Sequence, residues 1–72
     1  MARKCRAVVY RTAAKHGVPP VYITAHIRLS AADEARLEVW RYMFRVLGLR
    51  RWQIAKMFCR DVRRVRKSVI GV

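Results

Sequence analysis

Acidic residues are scarce in this chain of 72 residues, which has 4 Asp and Glu against 17 Lys and Arg and a formal net charge of +13. From Arg41 onward there are ten basic residues and a single acid, Asp61. Such an excess of cations favours a polyanionic partner. Hydrophobic residues nonetheless make up 54% of the chain, so we expect a folded domain and not a disordered basic tail.

Cysteine and histidine are also few, and their spacing excludes several kinds of site. Cys5 and Cys59 could form at most one bridge and lack the C-x-x-C spacing of a zinc site, so both are expected to be free thiols. His16 and His26 have no acid or cysteine at ligand spacing, and no nucleophile lies in a recognisable catalytic setting. We therefore expect no metal, no cofactor and no enzymatic activity.

Long apolar runs are missing as well. The longest uncharged stretch, 17–27, is too short and too polar to span a bilayer. The first sixteen residues are basic and free of acids, which superficially fits an organelle transit peptide. Their less polar residues instead follow the stripe of a core-facing helix, so we expect a cytoplasmic, nucleoid-associated protein, bacterial or phage-encoded. That stripe consists of Cys5, Val8, Val9, Thr12 and Ala13.

The few glycines and prolines divide the chain into five helical segments, which predicts one all-α domain over residues 1–72. Gly17 and the two following prolines separate a first helix, expected over 2–16, from a short second helix over 20–26. The residues of the second segment expected to be buried are Val21, Ile23 and Ile27.

A third helix, expected over 31–47, should organise the core. Ser30 begins the sequence Ser-Ala-Ala-Asp, a variant of the capping box in which Ser30 caps the helix and Asp33 lies in its first turn. Gly48 is expected to end it. Its apolar residues are Leu37, Val39, Trp40, Met43, Phe44, Val46 and Leu47.

The last part of the chain has the pattern of a helix, a tight turn and a second helix, which is typical of a helix-turn-helix. The fourth helix is expected over 50–58, and Asp61 is the expected N-cap of the fifth. Ala55 permits close approach of the two helices, Cys59 occupies the turn and Val65 packs back against the first helix. The residues of the fourth helix available for packing are Trp52, Ile54, Ala55 and Phe58.

The fifth helix combines an apolar stripe with a cationic surface. Val62, Val65 and Val69 recur at i, i+3 and i+7 and predict one buried stripe. The remaining surface carries Arg63, Arg64, Arg66 and Lys67. Neighbouring cations on a helix repel each other and no nearby acid relieves them, whereas a bound polyanion would.

The pattern from Ala35 to Val69 resembles the C-terminal duplex-binding domain of the bacterial replication initiator DnaA, within the Trp-repressor-like helix-turn-helix group. Segment 14–23 is similar to that family's entry helix and short second helix. The resemblance implies a helix-turn-helix fold and binding of double-stranded DNA. The matching residues are Ala35, Arg36, Leu49, Ile54, Ala55, Phe58, Arg60, Asp61 and Val65, with Val69 one turn further.

Two departures from the family bear on function. After the Asp the family has His-Thr-Thr, whereas this chain has Val62, Arg63 and Arg64, so the initiator's base-reading set is not transferred. No Gly-x-x-x-x-Gly-Lys-Ser/Thr phosphate loop is present, so the chain would be a stand-alone relative without the ATPase module. The family's basic loop, which reaches the minor groove, would be represented by Arg28 and Arg36.

Candidate contacts follow if the last helix enters the major groove. Arg63 or Arg64 could bind guanine bidentately, and Val62 could touch a thymine methyl, although Val62 has the alternative role of a core residue. The other cations around the turn are candidates for phosphate contacts, which give affinity and register. These candidates are Arg50, Arg51, Lys56, Arg60, Arg66 and Lys67.

The sequence therefore predicts a small basic protein that binds double-stranded DNA selectively and regulates transcription or replication by occupancy. One alternative is a module that binds a protein of the replication or transcription machinery. Another is a binder of structured RNA, although the narrow major groove of A-form RNA disfavours an inserted helix. The aromatic residues Trp40, Tyr42, Phe44 and Trp52 could also stack on single strands. The oligomeric state stays open.

Overall fold

The computed structural model describes residues 2–25, 27 and 29–70, the last of these by its backbone alone. Five helices are formed, and the described part of the chain contains no strand, which confirms the all-α expectation. They are α1 (Arg3–His16), α2 (Pro20–Thr24), α3 (Ser30–Arg45), α4 (Arg51–Met57) and α5 (Val62–Ile70). None of these helices combines the length and apolar character needed to cross a bilayer.

The central element is α3, which contacts each of the other four helices. Helices α1 and α2 pack against each other, as do α4 and α5, and within the described residues α1 touches neither α4 nor α5. The expected stripe of α1 is buried along its whole length. In the core, the rings of Trp40 and Phe58 meet edge to face with centroids 5.9 Å apart.

Two glycines end helices by adopting the left-handed conformation that side chains disfavour. Gly17 has φ +67°, and the amide of Val18 donates to the Ala13 carbonyl at 3.0 Å. Gly48 has φ +70°, and the amide of Leu49 donates to the Met43 carbonyl at 3.0 Å. Both turns were expected from the sequence, and they allow the chain to fold back on α3.

Several expectations at helix ends are wrong. Ser30 is the first residue of α3 and not its cap, because the helix begins one residue earlier than expected and the Asp33 amide donates to the Leu29 carbonyl at 2.8 Å. Val21 is 58% exposed, since a helix of five residues presents only one side to the core and Ile23 occupies it. Val46 is 61% exposed because it lies just past the end of α3.

Helix ends otherwise differ from expectation by one or two residues, as is usual where ends fray. The second helix stops at Thr24, and the expected end at His26 lies outside the described residues. Both cysteines are free, Cys5 in the core and Cys59 exposed in the turn after α4.

A buried arginine connects the C-terminal end of α2 to α3. Arg36 is 5% exposed, and its guanidinium donates to the backbone carbonyls of Tyr22, Ile23 and Ala25 at 2.6 to 2.9 Å. Its Nη1 also pairs with Asp33 at 2.7 Å. The planar fork of arginine can serve several acceptors at once, so a single side chain fixes the end of α2 against α3.

An ion cluster joins the end of α1 to the middle of α3. Glu38 lies 3.2 Å from Lys15 Nζ and 3.2 Å from His16 Nε2. Partial burial raises the pKa of the Glu38 carboxyl, but hydrogen bonds from His16 and Lys15, together with their charges, outweigh burial and hold the pKa below its ordinary value. Deprotonated Glu38 therefore stabilises the folded state.

We expect Glu38→Gln to lower the free energy of unfolding at pH 7 by less than about 1 kcal/mol, because the carboxylate is 40% exposed and screened by water. Since the folded pKa is the lower one, this contribution is present above pH 4.5 and is lost as the pH falls through the folded pKa. Urea unfolding over a pH series measures the difference. Glu34→Gln, an exposed acid of the same helix, is the control, and an equal effect of both changes would argue against the cluster.

Candidate nucleic-acid interface

Helices α4 and α5 are joined by a turn of four residues, 58–61, and pack against each other. Ala55 and Val65 are both buried, as their expected roles in the contact require. Cys59 adopts a left-handed conformation with φ +52°, and the amide of Arg60 then donates to the Ala55 carbonyl at 2.9 Å. The turn therefore reverses the chain within four residues and sets the angle at which α5 leaves α4.

The start of α5 is held by Asp61. Its Oδ1 accepts a hydrogen bond from the backbone amide of Arg63 at 2.9 Å, which confirms the expected N-cap. The carboxylate also lies at the positive end of the helix dipole. This carboxylate is therefore engaged by the backbone at the beginning of α5.

Two of the three valines of α5 anchor it to the core. Val65 is fully buried and Val69 is 3% exposed, whereas Val62 is 44% exposed, so the prediction of a continuous buried stripe is wrong at its first residue. Side chains on a helix point back toward its N-terminus, and ahead of the first residue there is no preceding turn to pack against. Val62 is thus available for contact with a partner.

The surface of α5 that faces away from Val65 and Val69 is cationic. At about 100° per residue, Arg63, Arg64 and Lys67 fall on that surface, with Arg66 on its flank. All four are exposed, and the Arg63 side chain is 90% exposed. Within the described residues the sole ion pair of α5 is between Arg63 Nε and Asp61 at 3.9 Å. We call these four residues the α5 basic face.

The remaining phosphate candidates differ in their exposure to solvent. Arg50 and Lys56 are exposed, whereas Arg51 and Arg60 are half-buried. Arg60 Nη2 lies 3.4 Å from the Ala25 carbonyl, so this residue also ties the turn to the end of α2. Their contacts with phosphate stay predictions.

Of the two minor-groove candidates, Arg36 is wrong and Arg28 lies outside the described residues. Arg36 is 5% exposed and its guanidinium is occupied by backbone carbonyls and Asp33, so it cannot reach a nucleic acid. The family resemblance suggested a surface role for Arg36, and its burial was not predicted because the carbonyls it binds lie at the end of α2, which helix periodicity does not place against α3.

A groove of about 500 Å³ lies beside the α5 basic face, between the first half of α3 and α5. Arg60 and Arg64 contribute positive charge to it, and the apolar side chains of Leu37 and Trp40 contribute to its lining. Trp40 itself is 4% exposed, and its Nε1 has no hydrogen-bond partner among the described residues. On the α3 side the groove is lined by Asp33, so its positive charge is concentrated on the side of Arg60 and Arg64.

Sequence reasoning missed one residue that positions α5. Arg41 Nε donates to the Ser68 carbonyl at 3.1 Å and so joins α3 to the last turn of α5, where a cation also complements the helix dipole. A cation directly after a core tryptophan is the only signal in the sequence, and it does not identify the acceptor. The α5 basic face is therefore held at both ends, by Asp61 and by Arg41.

The aromatic residues do not form one stacking surface. Trp40 is buried, Tyr42 and Phe44 are half-buried, and Trp52 is 57% exposed near the start of α4.

Comparison of the chain with protein-family models, curated proteins and solved structures gives no match. Function must therefore be argued from the geometry of the chain itself.

Proposed function

We propose that this protein binds double-stranded DNA with sequence preference, through α4, the four-residue turn and α5 acting as a helix-turn-helix, and regulates transcription or replication by occupying its site. The observation that carries the proposal is the α5 basic face, which is exposed, has within the described residues one ion pair, that of Arg63 with Asp61 at 3.9 Å, and is anchored from behind by Val65 and Val69. In this view the chain is a relative of the DnaA C-terminal domain that works in the cytoplasm, on the nucleoid.

The first turn of α5 supports a role in reading bases. Residues near the N-terminus of a recognition helix face base edges in the major groove. Arg63 and Arg64 occupy that turn and are exposed, and Val62 offers an apolar group beside them. Arginine binds guanine O6 and N7 with two parallel hydrogen bonds, and a valine methyl can contact the methyl of thymine.

The surrounding cations support a role in binding phosphates. Arg66 and Lys67 continue the α5 basic face, while Arg50 and Lys56 are exposed on and beside α4. Phosphate contacts supply affinity and fix the register of the protein on the duplex without reading sequence. Half-buried Arg51 and Arg60 would add to this set through their exposed portions.

The proposal is tested by selecting bound sequences from a pool of random duplexes and measuring affinity for the enriched sequence over a range of salt concentrations. If about six phosphates are neutralised, the logarithm of the binding constant should fall with the logarithm of the salt concentration at a slope of roughly −5. An A-form RNA duplex serves as competitor and should bind more weakly. Binding that ignores salt, or a pool with no enriched sequence, would refute selective duplex binding.

A second candidate function is binding to a protein of the replication or transcription machinery, and the exposure of Trp52 favours it. Tryptophan is enriched at the centres of protein interfaces, and a 57% exposed indole on a short helix is costly without a partner. Under the DNA proposal, Trp52→Ala should change duplex affinity less than Arg63→Ala with Arg64→Ala. Under the protein-binding candidate there is no selective duplex binding for either variant to change.

A further inference from the structure

A second cationic surface lies on α1, away from the α5 basic face. α1 has five cations and no acid, and all five are exposed. Lys15 is paired with Glu38, and the Arg11 guanidinium lies 5.4 Å from the centre of the Tyr42 ring. Arg3 and Lys4 stand in the first two positions of the helix. We call these two residues the α1 basic end.

The α1 basic end lies where the helix dipole disfavours positive charge. The first turn of a helix carries partial positive charge, which disfavours cations there, yet Arg3 and Lys4 lie in the first turn of α1. Folding of α1 does not require these cations, because its burial is supplied by the stripe on the opposite side of the helix. Local rules are often broken at functional sites, and a bound polyanion would offset the repulsion between these cations and the positive end of the helix dipole.

The two cationic surfaces lie on different flanks of α3. Tyr42 contacts α1, whereas Leu37 lines the groove beside α5. Five residues separate them, which places Tyr42 roughly 140° around the α3 axis from Leu37 at about 100° per residue. Within the described residues α1 and α5 make no contact with each other. A ligand lying along α5 therefore does not extend along α1.

One straight duplex lying along α5 is not expected to follow α1 as well. The molecule measures 26 by 25 by 21 Å, and DNA is stiff over lengths of about 150 base pairs. Wrapping a duplex around so small a body would require a sharp bend. Two separate duplexes, one on each flank of α3, satisfy both surfaces without bending either.

We propose that this protein bridges two DNA segments, with the α5 basic face holding a preferred sequence and the α1 basic end holding the backbone of a second duplex. This inference rests on the proposed binding of double-stranded DNA. The second site would have no base preference, because cations on an exposed helix surface contact phosphates and not base edges. Bridging would bring together a chosen site and any neighbouring stretch of DNA.

The experiment immobilises the selected duplex on beads, loads the protein, removes the excess, and adds a second, fluorescent duplex of unrelated sequence at about 50 mM salt. The wild-type protein should retain the fluorescent duplex. Arg3→Ala with Lys4→Ala should reduce its retention by about tenfold while changing affinity for the selected duplex in solution by less than about threefold. Arg45→Glu removes the same net charge from α3 and should retain the second duplex like the wild type.

The outcomes separate the two proposals. If the wild-type protein does not bind the selected duplex in solution, the proposed function fails. If it binds that duplex but retains no second one, the bridging inference alone fails. Retention that survives the change of Arg3 and Lys4 would place the second duplex elsewhere, for example through dimerisation, and would also overturn the role of the α1 basic end. Circular dichroism of each variant confirms that α1 stays folded.

Discussion

Replacing Arg63 and Arg64 together by alanine is expected to weaken binding to the selected duplex by about a hundredfold. A bidentate contact between arginine and guanine contributes about 1–3 kcal/mol of discrimination, and each 1.4 kcal/mol corresponds to about a tenfold change in affinity. Both side chains are exposed on the first turn of α5, and alanine preserves the helix. The fold should therefore be unchanged, and the loss would report on contact with DNA.

The salt dependence distinguishes base contacts from phosphate contacts in this experiment. If Arg63 and Arg64 read bases, the variant loses preference for the selected sequence and keeps most of its salt slope. If they touch phosphates, affinity falls for every duplex and the slope becomes shallower by about one for each residue. Arg45→Glu lowers the net charge by the same amount on α3 and is the matched control. If the double variant binds the selected duplex as tightly as this control, α5 does not contact the DNA.

Replacing Arg36 by alanine is expected to lower the free energy of unfolding by about 3–5 kcal/mol, as when one partner of a buried charged interaction is removed. The change leaves the carbonyls of Tyr22, Ile23 and Ala25 without their donor. A domain of this length has a total stability of roughly 4–11 kcal/mol at about 0.05–0.15 kcal/mol per residue. The loss is therefore a large share of the total, and the variant should unfold at a much lower urea concentration than the wild type.

Two further variants test whether the planar shape of the Arg36 guanidinium contributes to stability, in addition to its charge. Arg36→Lys retains the charge but cannot serve several acceptors in one plane, so it should lose at least about 2 kcal/mol. Arg45→Ala removes an exposed arginine from the same helix and should change stability by no more than about 0.5 kcal/mol. Urea unfolding followed by circular dichroism measures all three. A loss below about 1 kcal/mol for Arg36→Ala would mean that water replaces the guanidinium.

Regular periodicity made most of the fold predictable. The stripe of α1, the two glycine turns and the N-cap at Asp61 are all as the sequence indicates, because each depends on residues within one or two turns of each other. The exposure of Arg63, Arg64, Arg66 and Lys67 follows from the same periodicity. Local patterns thus determine which surface of each helix meets the core.

The errors concern residues whose surroundings are decided at a distance. Arg36 is buried because its acceptors, 11 to 14 residues earlier in the chain, lie against α3, and no local pattern records that proximity. Val62 and Val46 continue apolar stripes but stand at helix ends, where the core no longer covers them. The contact of Arg41 with Ser68 joins residues 27 apart and is equally invisible to spacing.

The central position of α3 determines whether the C-terminal helices can fold as a separate peptide. Because α3 touches every other helix and packs behind α5, a peptide of segment 51–70 would carry the side chains proposed to contact DNA without the surface that holds them in place. A peptide of that length would be a short basic chain whose valines face water, and helices of this length are marginal in isolation. The proposed recognition of DNA would thus depend on the folding of the whole domain, and the isolated segment 51–70 is not expected to bind DNA selectively.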